Sequence, residues 1–141
     1  MQRLIIGIWL LYVNAIVSCG DQDKPFVVSV SKGGGFTSLF QGCELRSDGL
    51  IIEWKQYGIG RREELGRKQV SSVRIREIAE RLLALESSDG LIGKRGNMTY
   101  KVVYTDVNDT LRWSWSIDDS LDLEWEEWYR NTREFCIDHA K

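Results

Sequence analysis

Two runs of alternating residues flank Asn108-Asp109, and they restrict this chain more than any other feature. From Met98 to Asp106, Tyr100, Val102 and Tyr104 alternate with Thr99, Lys101 and Thr105. After the turn, Leu111, Trp113, Trp115 and Ile117 alternate with Arg112, Ser114 and Ser116. A period of two on both sides of a short polar turn predicts a β-hairpin with one apolar face. A two-stranded hairpin is marginal in water, so the remaining chain must supply further strands and a layer over that face.

It has the means to do both. Phe26 to Ser31 is β-branched and reads as a first strand, broken by Gly33-Gly34-Gly35. Phe36 to Ser47 and Leu50 to Tyr57 read as two strands joined at Asp48-Gly49, a hairpin turn signal. Leu39, Cys43 and Leu45 share one face; Leu50, Ile52 and Trp54 are expected to face the same core, with Arg46, Glu53 and Lys55 outward. Gly58 to Lys68 is the most polar stretch and reads either as a long loop or as an extended exposed hairpin.

Ser71 or Ser72 can cap a helix running to about Glu86, with Ile75, Ile78, Ala79, Leu82 and Leu85 as its apolar stripe. Ser87-Ser88-Asp89-Gly90 stops it. Asp118, Asp119, Ser120 and Asp122 open a second helix with charge that suits its dipole, and Leu121, Trp125, Trp128, Thr132 and Phe135 recur at helical spacing. Strand, hairpin, helix, hairpin, helix predicts an α+β domain: a small antiparallel sheet of two hairpins plus a first strand, with both helices on one face. Trp54, Trp113, Trp115, Trp125 and Trp128 all fall at inward positions of that arrangement.

The start of the chain carries a different message. Met1-Gln2-Arg3 precedes an apolar run, Leu4 to Val17. As a helix this run is roughly 21 Å long, short of the roughly 30 Å hydrocarbon core, and it fits a signal peptide. Ile16-Val17-Ser18-Cys19 resembles the lipobox of bacterial lipoproteins. The resemblance implies a diacylglycerol on the Cys19 thiol, cleavage before Cys19, and a lipid anchor in the cell membrane or outer membrane. The alternatives are an ordinary secretory signal cut after Gly20 and an uncleaved anchor. The expected organisation is a removed signal over residues 1–18, the lipidated cysteine and linker over 19–25, and one domain over 26–141.

The formal charge of −2 gives no electrostatic case for nucleic acid. Export places Cys43 and Cys136 where they could form a disulfide; two buried free thiols are the other reading. A single histidine, His139, sits near the last residue of the sequence, and no Ser-His-Asp, Cys-His or metal-ligand spacing is present in the sequence. The expectation is a protein that is not an enzyme and takes no metal or cofactor.

Three segments carry a second resemblance: "SVSKGGGFTSLF", "LLALESSDG" and "NMTYKVVYTDVNDTLRWSW". Together they look like emfourin, a family of small bacterial inhibitors of thermolysin-like metalloproteases. The matching features are Gly34-Gly35 before Phe36 and Tyr100 opening the late strand. This implies a non-catalytic binding domain acting as a protease inhibitor; the alternative is a structural or assembly accessory of the envelope. The expected contacts with a protein partner are the loops Gly58–Lys68 and Asp89–Asn97, with Arg61, Arg62 and Lys94 as their cations.

Overall fold

The structure, a computed structural model, describes residues 24–85 and 98–138. Cys19, the apolar leader, Lys94, His139 and the expected contact loop at 89–97 lie outside the described residues.

Six antiparallel strands form one sheet in the order β4-β3-β2-β1-β5-β6. They are β1 (Phe26–Gly34), β2 (Leu39–Arg46), β3 (Leu50–Tyr57), β4 (Glu63–Gln69), β5 (Thr99–Asp106) and β6 (Thr110–Ser116). Helix α1 (Ser72–Leu85) joins β4 to the second half of the fold, and α2 (Leu123–Asp138) follows β6. The α+β class and both hairpins stand as expected. The polar stretch after Gly58 is the extended hairpin: it turns at 58–62 and returns as β4, a sixth strand.

Both helices cover one face. Val28, Val30, Cys43, Leu45, Ile51 and Val102 meet Ile75, Ala79 and Leu82 of α1 and Trp125, Trp128 and Cys136 of α2 in one core. Trp113, Trp115, Trp125 and Trp128 interlock with Tyr100 and Tyr129; Trp113 and Trp125 lie 5.4 Å apart by ring centroids, Trp115 and Tyr129 5.1 Å. Trp128 Nε1–H donates to the Ile78 carbonyl at 3.1 Å, bracing α2 on α1. The Tyr129 hydroxyl donates to the Ser31 carbonyl at 3.0 Å, and burial raises the pKa of that phenol. A disulfide between Cys43 and Cys136 ties the last turns of α2 to the middle of β2.

Strand β3 departs from expectation. Leu50, Ile52 and Trp54 do not face the core; Ile51 does, paired with Leu45, and Glu53 shares its side of the sheet. Trp54 is still only 4 % exposed, because it is buried on the opposite face. There it pairs with Gly42, whose missing Cβ would lie 2.7 Å from the indole, and the Arg62 guanidinium stacks 4.0 Å over the ring. Phe40 lies over Gly33 in the same way, with Lys101 Nζ 4.4 Å above it. The helix-free face thus carries its own thin layer of two aromatic rings, each with a cation above it.

Candidate functional site

Register brings four connections to one end of the sheet. Gly33 pairs with Phe40 and with Thr99, and Thr99 pairs with Ser116, so the β1–β2 turn, the start of β5 and the end of β6 lie in a row. Leu39 pairs with Tyr57, which adds the β3–β4 turn. The chain enters at the far end: β1 is nine residues long, so Phe26 sits about 30 Å from this tip.

The tip is apolar and projects. Phe36 is 104 % exposed, Ile59 105 % and Tyr57 58 %. Phe36 rides on a single 3-10 turn, Gly35–Thr37, entered through Gly34 at φ 113° and Gly35 at φ 71° and left through Ser38 at φ 48°. Side chains with a Cβ rarely adopt the first of these conformations, so the glycines are what allow Phe36 to be aimed outward. Ser38 N–H donates to the Gly35 carbonyl at 3.3 Å. Its own carbonyl accepts from Gly58 N–H at 2.8 Å, which binds the two apolar turns to each other. Phe36 and Ile59 are therefore held on one braced platform.

A cleft of about 600 Å³ opens at the same end, between β6 and α2. Tyr100, Trp115 and Tyr129 line it, with exposed Ile117 and Ile137 and the guanidinium of Arg130 beside them. Tyr100 and Trp115 stack at 5.6 Å, and Tyr129 meets both edge-on. The hydroxyl of Tyr129 is committed to Ser31, and a phenol with its pKa raised stays neutral at physiological pH. The Asp119 carboxylate, also at this cleft, accepts the Ser116 N–H at 2.6 Å. These groups can grip an apolar or aromatic side chain.

Of the cations expected to meet a partner, Arg61 is exposed beside Ile59. Arg62 is engaged within the domain instead, where its guanidinium bonds the Glu44 carboxylate and stacks on Trp54. It is a strut for the open face. Ile59 falls inside the expected contact loop Gly58–Lys68, whereas Phe36 and Tyr57 are not among the expected contacts, although the sequence marks them. Phe36 follows three glycines and Ile59 stands between two, so the chain around each is free to turn instead of continuing a strand.

Among the described residues no three His, Cys, Asp or Glu side chains are gathered to hold a metal ion. No described helix is long and apolar enough to cross a membrane. No protein-family model matches the chain, and no curated protein matches it.

Proposed function

We propose that this chain is a lipid-anchored protein of the bacterial envelope whose domain binds another protein and performs no catalysis. One observation carries the reading: Phe36 and Ile59 are fully exposed on two turns hydrogen-bonded to each other. Water contact with two such side chains is costly, and the glycine geometry and cross-turn bond that order them bury neither against the described residues. A partner with two adjacent apolar pockets removes both from water at little entropic cost, because they are already fixed. The disulfide supports export, since such bonds persist outside the reducing cytosol. The resemblance of the glycine–phenylalanine turn to emfourin names the partner class: a thermolysin-like metalloprotease.

The test mixes purified domain with such a protease at equal molar amounts. Inhibition is expected from the wild type and at least tenfold weaker inhibition from Phe36→Asp/Ile59→Asp, with an unchanged melting temperature. Inhibition by both alike would move the contact away from the tip. Absence of inhibition, with envelope proteins captured by wild type and not by the variant, would make the chain an assembly accessory. The anchor is tested separately: Cys19→Ala should leave the membrane fraction, and the intact mass of the wild type should include acyl chains.

A further inference from the structure

The sheet has two outer strands, β4 and β6, and they are finished differently. β4 shifts register opposite Glu53/Trp54 and carries Glu63, Glu64, Arg67 and Lys68. Bulges and charges of this kind blunt an edge against unwanted pairing. β6, with the sequence TLRWSWS, has one charge, no proline and an unbroken register with β5.

The hydrogen bonds at the two ends of the β5–β6 hairpin decide which groups face outward. Asp106 N–H donates to the Asp109 carbonyl at 3.0 Å, and Ile117 N–H donates to the Met98 carbonyl at 3.2 Å. Both contacts belong to the bonded set of cross-strand pairs, which recurs at every second residue. Leu111, Trp113 and Trp115 therefore turn their backbone groups to β5, while Thr110, Arg112, Ser114 and Ser116 turn theirs away. At the ends of that outward row the Thr110 N–H and both groups of Ser116 are already taken. Asp109 Oδ1 accepts Thr110 N–H at 2.7 Å, Asp119 Oδ2 accepts Ser116 N–H at 2.6 Å, and Asp119 N–H donates to the Ser116 carbonyl at 3.1 Å. Between these hooks, the N–H and C=O groups of Arg112 and Ser114 have no partner among the described residues.

We infer that this window is a docking edge for a short extended segment of another polypeptide, which joins the sheet beside β6. Two donors and two acceptors alternating along an extended edge match another extended backbone and little else. A second copy of β6 does not fit. In such a pair the turn at Asp119, which covers the outward groups of Ser116, would occupy the place of the other copy's Thr110. A segment of three to five residues passes between the hooks. Its residues beside Arg112 and Ser114 would point to the helix-free face, where the exposed Arg112 is the one charge that β6 presents, so acidic residues suit them. The residue between them would point toward Leu111 and Trp113 and is apolar. This site is separate from the apolar tip and does not depend on the tip's partner.

The probe is acetyl-Val-Glu-Val-Glu-Val-amide, titrated into the isotope-labelled full chain in detergent micelles. The Arg112 and Ser114 amide resonances should shift and their hydrogen exchange should slow. Ser114→Pro removes an outward donor without breaking the β5 ladder, as proline is tolerated on an edge; it should weaken binding about tenfold or more. A peptide N-methylated at its two glutamates should lose binding to the same extent, with the protein unaltered. Shifts confined to Phe36, Tyr57 and Ile59 or to the cleft would overturn the assignment. So would equal binding of the N-methylated peptide, or protection of those two amides by self-association without peptide.

Discussion

Trp54 shows how much one missing side chain decides. Its indole lies flat on Gly42, where any Cβ would sit 2.5 Å from the Val30 carbonyl oxygen and 2.7 Å from both Ser31 Cβ and the ring. Gly42→Val should therefore destabilise by about 1–3 kcal/mol or more in urea unfolding, as an overpacked site flanked by backbone. Trp54 Nε1 is buried with no hydrogen-bond partner among the described residues, so part of what this ring gains by burial is lost to a dry donor. Trp54→Phe removes that donor along with some volume, and the two changes should offset to within about 1 kcal/mol. The orientation of Trp54 could not be read from the sequence. Leu50-Ile51-Ile52 supplies an apolar residue to either face, and the choice rests on Gly42 lying opposite, which appears only with register.

Asp106 works at the same scale by charge. Its carboxylate accepts the Asn108 and Asp109 N–H groups at 2.7 and 2.9 Å, and these bonds hold its pKa below the ordinary value. A depressed carboxyl stabilises the fold above the ordinary value, near 4, and loses that contribution as pH falls through its own lower value. Asp106→Asn should accordingly lower the urea midpoint at pH 7, and the gap to wild type should close as acid protonates the native carboxyl. A gap that persists undiminished in strong acid would mean that the turn is held by something other than this charge.

Among the elements, α2 depends most on covalent help. Its buried side, Trp125, Trp128, Tyr129, Thr132 and Cys136, is broad, but its other face is heavily charged. The disulfide closes a loop of sequence separation 93, and Cys136→Ser should cost about 2–5 kcal/mol with loss of protection concentrated in α2. Leu82→Ala in α1, a fully buried stripe residue, should cost about 2–5 kcal/mol by urea unfolding. Helices and hairpins are legible in the sequence because their apolar spacing repeats over many residues. β4 is only half legible: its side chains are almost all exposed, so no periodicity distinguishes a strand at the edge from a solvated loop. The pairing of the cysteines stays open in the sequence for a related reason, since sequence separation says nothing about which strand a late helix will cross.

On the scale of the whole molecule, entry point and apolar tip lie at opposite ends of one strand. β1 is central, bonded along its length to β2 on one side and β5 on the other, and it runs from Phe26 to the turn that carries Phe36. The domain is therefore built to carry mechanical load. A pull on residue 24 against a weight held at Phe36 is carried by the backbone of β1 itself, which as a strand is already close to full extension and has little length left to give. For force between residue 24 and the end of α2, the Cys43–Cys136 bond does the corresponding work, because residues 44–135 lie inside a covalent ring that such force bypasses. Drawn apart between residue 24 and Phe36, the domain should lengthen only slightly before the backbone is taut. Drawn apart across the β3–β4 hairpin, where bonds open one at a time, it should yield at low force. Whatever the tip holds, the fold is arranged to keep hold of it.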